Sequence, residues 1–180
     1  KYTQASLAVI REQEQRHACE VLGVEHIEFL HHDDGRLVAD LVLRRELVHL
    51  IRKYKPEVVL CGDPNQLFWG NNRINHPDHR AAALAAVDAI FPCASMELLW
   101  PEDGPIHEVH GVYVRDITFV DTWIDITGTI DLKIKALREH HSQLDDNAGL
   151  EDMIRQRSAD AGKDHGMTYA EAFRVIRLKE

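Results

Sequence analysis

The pattern of apolar and polar residues predicts a long amphipathic helix at the start of the chain. Apolar residues recur at spacings of three and four and Gly23 is a typical helix stop, so the helix spans residues 3–22. The residues of this apolar stripe are Leu7, Ile10, Ala18, Val21 and Leu22. Arg11 and Glu14 lie on the polar side, where a spacing of three indicates an exposed intrahelical pair worth only about 0.2–0.5 kcal/mol.

Two further helices are predicted in the first half of the chain. Asp40 is suited to cap a helix that ends before Pro56, and another helix runs over residues 78–91 before Pro92. The predicted buried residues are Leu43, Leu47, Leu50, Ile51 and Tyr54 in the first of these and Leu84, Val87 and Phe91 in the second.

Short apolar runs between the helices predict strands. Residues 57–62 have a continuous apolar centre, which is typical of a buried parallel strand, and residues 26–30 alternate weakly. Residues 109–114 and 117–120 predict two more strands. Because helices and strands alternate, the pattern favours an α/β fold with a mostly parallel sheet, in a single domain over residues 1–180.

The last third of the chain is predicted to be mainly helical. Asp125 or Thr127 can cap one helix, a polar loop follows at 144–149, and residues 150–162 form a surface helix. The segment Thr168-Tyr169-Ala170-Glu171 matches a capping box and predicts a last helix. The predicted inward-facing residues are Ile130, Ile134 and Leu137 before the loop and Phe173 and Ile176 in the last helix.

Composition narrows the class of protein. The chain has 180 residues and a net charge of −9, which argues against sequence-independent electrostatic binding to nucleic acid. No apolar run approaches the roughly 18 residues of a membrane span. The three cysteines lie far apart without a C-x-x-C pattern, so a reduced, cytoplasmic setting fits best. The 12 histidines raise the prospect of metal chemistry.

Two imidazoles and a carboxylate lie within four residues in Asn75-His76-Pro77-Asp78-His79. This segment follows the strand at 57–62 and a polar loop, and it begins a helix, so it lies where open α/β sheets bind ligands. At a spacing of three, His76 and His79 share one helix face, so one can hold a metal while the other faces a substrate. The alternative is that they are plain caps or surface residues, since a zinc site needs three protein ligands.

Two loops near this segment are candidates for ligand contact. Asp34 ends the predicted strand at 26–30, where an aspartate can touch a ligand or simply form a turn with Gly35. The loop at 63–75 is long for an α/β unit and contains Leu67-Phe68-Trp69. The sequence leaves open whether this apolar trio forms an aromatic wall over the site or docks onto the core.

Taken in order, these motifs resemble the LmbE-like deacetylases, also called the PIG-L family, over nearly the whole chain. Members include N-acetylglucosaminyl-phosphatidylinositol deacetylases. The matching elements are Arg11-x-x-Glu14 with Leu22-Gly23, Asp34-Gly35-x-Leu37, Asn75-His76-Pro77-Asp78-His79-Arg80-Ala81, Val120-Asp121 through Ile126, Lys133-x-x-Ala136-Leu137-x-x-His140-x-Ser142-Gln143 and Tyr169-Ala170-Glu171-Ala172-Phe173-Arg174.

The resemblance implies a Rossmann-like three-layer sandwich and a zinc-dependent hydrolase that removes the acetyl group from an N-acetylglucosamine-type conjugate. By this resemblance, His79 is a zinc ligand, His76 stabilises the oxyanion and aids departure of the amine, and Asp78 orients His76. Arg11 and Asp34 match positions that contact the sugar in some members. The implied partner is a small N-acetylated sugar conjugate; a homo-oligomer is left open.

One family element has no counterpart in the sequence. Ala-His-Pro-Asp-Asp supplies a histidine and an aspartate to zinc and another aspartate as general base, whereas the only His-Pro-Asp here is at 76–78. We therefore expect the chain to be the C-terminal part of a deacetylase domain, inert alone, with an exposed apolar sheet edge and the remaining zinc ligands upstream of Lys1. The competing hypothesis is a non-catalytic sugar- or nucleotide-binding domain on the same scaffold.

Overall fold

The computed structural model of the chain describes residues 3–115, 119–144 and 148–179. The helices are α1 (Gln4–Leu22), α2 (Leu41–Tyr54), α3 (Pro77–Ile90), α4 (Ile130–Arg138), α5 (His141–Leu144) and α6 (Leu150–Gly162). The strands are β1 (Val58–Gly62), β2 (Phe68–Trp69), β3 (Arg73–Ile74), β4 (Gly111–Arg115), β5 (Thr122–Asp125) and β6 (Ala170–Arg177). None of the helices in these ranges is long and apolar enough to cross a bilayer.

The chain divides into two compact units. Unit 1 consists of Lys1–Phe29 and Trp123–Glu171, and unit 2 consists of Leu30–Thr122 and Ala172–Glu180. Unit 1 contains α1, α4, α5 and α6, and unit 2 contains α2, α3 and strands β1 to β4.

A mixed sheet with the strand order β1-β4-β6-β5 confirms the predicted α/β fold class. Strand β1 pairs with β4 in parallel, with Val58 opposite Gly111, and β4 pairs with β6 antiparallel. Among the described strands β1 lies at the edge of the sheet, and its Val58 and Leu60 are 51% and 66% exposed. The predicted strand at 57–62 is therefore confirmed in position and direction, and its apolar edge is exposed as expected, but it is not fully buried.

The core of unit 2 packs α2 and α3 against β1 and β4. Its buried residues are Val48, Ile51, Ala89, Ile90, Cys93, Ala94, Val109, Val112 and Val114. The predicted apolar stripe of α3 is wrong, because Leu84 and Phe91 are 44% and 64% exposed while Ala83 is buried. A Cβ on Gly62 would lie 3.6 Å from the Cβ of Ala83, so small residues let the helix approach the strand closely.

Both long helices begin and end where local signals predict. The Thr3 side chain accepts from the Ser6 N–H at the start of α1, and Gly23 ends that helix with φ 72°. Asp40 Oδ1 accepts from two backbone N–H groups at the start of α2, which confirms the predicted cap. In α2 the prediction that Tyr54 is buried is wrong, because its side chain is exposed.

Glu14 departs from the sequence interpretation within unit 1. It is 6% exposed, so the prediction of an exposed pair with Arg11 is wrong for Glu14. Its two carboxylate oxygens accept from the backbone N–H and the hydroxyl of Ser142, at 2.6 and 2.7 Å. Two motifs that lie far apart in the sequence thus meet between α1 and α5.

Several secondary-structure predictions are wrong or lie outside the described residues. Residues 26–30 form no strand, because no ladder partner lies beside them in the described ranges. The segment with the capping-box pattern folds as β6, in which Phe173 and Val175 are buried against the sheet. Two further predictions fall partly on residues outside the described ranges: the strand at 117–120 and the loop at 144–149. Helices α4 and α6 confirm two predicted helices.

Arg52 is a buried cation that the sequence did not reveal. The side chain lies on α2, is 2% exposed and donates to the backbone carbonyls of residues 93–100. The five acceptors are the carbonyl oxygens of Cys93, Ala94, Met96, Leu99 and Trp100. One guanidinium thus bridges five carbonyls of an irregular segment, four of which also accept from a backbone N–H.

Acidification is expected to weaken a second arginine contact in unit 2. Arg45 Nε donates to Asp103 Oδ2 at 2.7 Å, and this hydrogen bond is the main cause that lowers the pKa of Asp103. Because the folded-state pKa lies below the unfolded value of about 3.9, the stabilisation is complete above that pH and is lost as the pH falls through the folded-state pKa. Urea unfolding between about pH 2 and pH 6 measures this loss. In Arg45→Gln the free energy of unfolding should fall less between pH 6 and about pH 2 than in the wild type. An equal fall in the variant would contradict the assignment to Asp103.

Candidate active site

His76 lies at the start of α3 with its imidazole fixed by the backbone. It is the N-cap residue, Pro77 occupies the first helical turn, and the Asp78 N–H donates to His76 Nδ1 at 3.2 Å. An N–H that points at Nδ1 requires a lone pair there, so the neutral ring carries its proton on Nε2. The cap therefore selects the tautomer in which Nε2 is a hydrogen-bond donor.

A hairpin holds the residue before His76. Strands β2 and β3 pair antiparallel, with Phe68 opposite Ile74. Asn75 is buried, and its side-chain amide donates to the Gln66 carbonyl at 2.8 Å. The loop at 63–75 is thus ordered around Asn75, but Phe68 is exposed and does not dock onto the core. Its role as an aromatic wall stays a prediction.

Asp78 connects the start of α3 to the loop before α2. Its Oδ2 accepts from the Gly35 N–H at 2.6 Å, and its Oδ1 accepts from the Leu37 N–H at 3.3 Å. The backbone of Gly35 has φ 82°, which a glycine adopts without strain. This contact brings Asp34 to His76, with 3.9 Å between Asp34 Oδ1 and His76 Nε2.

His79 lies in the first turn of α3, and its ring centroid is 5.4 Å from that of His76. The structure therefore brings four of the five candidate site residues into one corner of unit 2: Asp34, His76, Asp78 and His79. Arg11 lies on α1 in unit 1, and its assignment to sugar binding stays a prediction.

The family model of the GlcNAc-PI de-N-acetylases, PIG-L, matches residues 1–90. The chain belongs to this family. The match includes Asp34 and the segment from His76 to His79.

Relatives with known activity or structure support the family assignment. The diacetylchitobiose deacetylase of Thermococcus kodakarensis is 30% identical over 176 residues, which are 94% of this chain and 64% of that protein. The N,N′-diacetylchitobiose deacetylase of Pyrococcus horikoshii, solved with its inhibitor, superposes with a TM-score of 0.84 at 27% identity, over 96% of this chain and 65% of that one. A conserved protein of Thermus thermophilus gives a TM-score of 0.78 at 26% identity, over 95% and 75%. The chain thus spans just under two thirds of the length of the two deacetylases.

Asp34, His76 and Asp78 form a group with the donor types of a metal site. Each offers one ligand atom, and these atoms lie within 4.8 Å of one another. The hydrogen bond at His76 Nδ1 fits a metal poorly, however, because the neutral ring then carries its proton on Nε2 and has no lone pair left to offer. Among the described residues of this corner, His79 is the histidine best suited to ligation, and a catalytic zinc needs more ligands than one histidine.

A groove borders the same loop. Its volume is about 600 Å³, and it runs along the exposed side of α2 in unit 2. Leu30 and Leu41, at the two ends of the loop that carries Asp34, both line it, together with Trp100. The loop therefore contacts the His76 corner at its middle and this groove at its ends.

The contact between Asp78 and the loop was not foreseen from the sequence. Asp34-Gly35 signals a turn and Asp78 signals a helix start, but no local pattern links residues that lie 43 positions apart. The recurrence of both segments among the motifs of one family was the only available signal.

Proposed function

We propose that the protein is a metal-dependent deacetylase that hydrolyses the acetyl amide of an N-acetylglucosamine-type sugar conjugate. The observation that carries the proposal is the fixed imidazole of His76, whose Nδ1 accepts from the Asp78 N–H so that the neutral ring carries its proton on Nε2. Family membership and the deacetylase activity named for two relatives support this reaction class.

His76 would act on the oxygen of the amide carbonyl. As water adds to the carbonyl carbon, negative charge develops on that oxygen, and a preoriented N–H donor stabilises it more than it stabilises the substrate. The departing amine takes the proton that the attacking water gives up to a general base, because a neutral imidazole that lost its Nε2 proton would be left as an imidazolate. Asp34, 3.9 Å from Nε2, adds a hydrogen-bond acceptor beside the position of the sugar.

We assign the metal as zinc and His79 as one of its ligands. When bound, zinc would supply the nucleophile by lowering the pKa of water to roughly 7. Arg11 and Asp34 are assigned to the sugar, because both belong to the motifs shared with the family.

The full-length protein is expected to release acetate from N-acetylated amino sugars in a metal-dependent manner. N,N′-diacetylchitobiose and N-acetylglucosamine are the first substrates to assay, since a relative is named for the former. Zinc content by elemental analysis and acetate release by an enzyme-coupled assay are measured together. Treatment with a chelator should abolish turnover, and added zinc should restore it.

Two results would contradict the proposal. One is a protein that contains stoichiometric zinc and releases no acetate from a panel of N-acetylated sugar conjugates. The other is full turnover after the chelator has removed the metal. Sugar binding without turnover would instead favour a binding domain on the same scaffold.

A further inference from the structure

The carboxylate of Asp78 is directed toward a loop rather than toward His76. Its oxygens accept from the Gly35 and Leu37 N–H groups at 2.6 and 3.3 Å, whereas the separation between His76 Nδ1 and Asp78 Oδ2 is 3.9 Å, beyond hydrogen-bond range. The ring is held instead by the backbone N–H of Asp78. The side chain and the backbone of Asp78 therefore have separate partners.

The geometry at the loop is that of a two-point clasp. Two N–H groups, two residues apart, converge on one carboxylate whose side chain is 15% exposed. Such bonds are charge-assisted and stronger than bonds between neutral groups. The positive φ of Gly35 turns the backbone so that both N–H groups can face the carboxylate.

The clasp also determines the position of Asp34. This residue precedes Gly35 directly, so the bond to Gly35 places the Asp34 carboxylate next to His76. We propose that Asp78 is a positioning residue that acts on the loop and not on the imidazole: its carboxylate clasps residues 35–37 and thereby sets Asp34 against the substrate. The kinetic consequence rests on the proposed function, while the clasp itself does not.

Asp78→Asn separates this role from that of a His–Asp pair. The variant keeps the backbone N–H that orients His76, but its amide has one oxygen to accept with and an NH₂ group that faces the other N–H. We expect the loop to loosen and KM to rise about tenfold, with kcat and its pH profile unchanged, because a contact made equally before and in the transition state appears in KM. A His–Asp pair predicts a lower kcat and a shifted pH profile instead.

Hydrogen exchange tests the clasp without any assay of activity. In the full-length protein, exchange of the Gly35 and Leu37 amides is followed by NMR or by mass spectrometry of the peptide that contains them. Asp78→Asn should exchange faster there, while the control Asp33→Asn, at an exposed position of the same loop, should match the wild type. Equal exchange in Asp78→Asn and the wild type would overturn the proposal, even if the protein is a deacetylase.

A second variant covers the case in which Asp78→Asn does not fold. Gly35→Ala strains the backbone at φ 82° and opens the clasp from the loop side while leaving Asp78 in place. It should raise KM and speed exchange in the same way, and the two changes combined should add little to either alone. The proposal would be overturned if the effects of the two substitutions on KM and on exchange were fully additive. A fall in kcat with a shifted pH profile would also overturn it. If no variant and no wild-type protein releases acetate, the proposed function fails while the exchange data still decide the clasp.

Discussion

Replacing His76 with alanine in the full-length protein is expected to lower turnover by roughly a hundredfold or more while zinc content stays unchanged. The Asp78 N–H donates to His76 Nδ1 at 3.2 Å, so the neutral ring presents Nε2–H as a donor. On the proposed assignment this donor acts in the transition state, and its loss appears in kcat more than in substrate or metal binding. Acetate release and elemental analysis of the same sample measure both effects.

His79→Ala is the matched variant and should behave differently. On the proposed assignment His79 is a zinc ligand, so its removal should lower metal content and activity together. The exposed His17 on α1 provides the control, since His17→Ala should keep both. If His76→Ala loses zinc while His79→Ala retains it, the metal lies in the group of Asp34, His76 and Asp78, and the two roles have been exchanged.

Arg52→Met is expected to lower the free energy of unfolding by about 2–4 kcal/mol. The guanidinium is 2% exposed and donates to five backbone carbonyls, among them Trp100 O at 2.7 Å and Leu99 O at 2.9 Å. Methionine fills a similar volume but removes five charge-assisted hydrogen bonds. Four of the carbonyls keep a backbone N–H donor, so the loss per bond is smaller than for an acceptor left without any partner. The midpoint of urea unfolding at constant m-value gives the change.

Two further variants make the Arg52 test specific. Arg52→Lys should retain part of the stability, because an ammonium has three donors and cannot reach five carbonyls in a fixed fork. Arg36→Met, at a position whose side chain is 77% exposed, should change stability by less than about 0.5 kcal/mol. A loss below about 1 kcal/mol in Arg52→Met would mean that water replaces the guanidinium and that the segment at 93–100 does not depend on it.

Predictions from the sequence succeeded where the determining interaction is local. The ends of α1 and α2 follow from Thr3, Gly23 and Asp40, each of which bonds to backbone within a few residues. The strand at β1 followed from an apolar run bounded by a proline and a glycine. The segment from His76 to His79 was recognised because a cap, a first-turn proline and two histidines at a spacing of three occur together.

Predictions failed where a distant partner decides the outcome. Residues 170–177 match a helix cap at their start, but Gly111–Arg115 offers a strand to pair with, and the alternation of Phe173, Arg174 and Val175 suits that sheet. In α3 the helix was predicted correctly but its buried face was not. The close approach to Gly62 selects alanine over leucine, and periodicity alone does not report that distance.

The sequence alone determined the family, the α/β class and the segment that carries His76, Asp78 and His79, because these depend on motifs and on short-range backbone chemistry. Tertiary structure alone decided which polar groups meet. Asp78 reaches Gly35 across 43 residues, Glu14 reaches Ser142 across 128, and Arg52 reaches carbonyls more than 40 residues away. Packing removes each of these polar groups from water, and a buried polar group is stable only when it is hydrogen-bonded. Its partner is therefore a group that the fold places next to it.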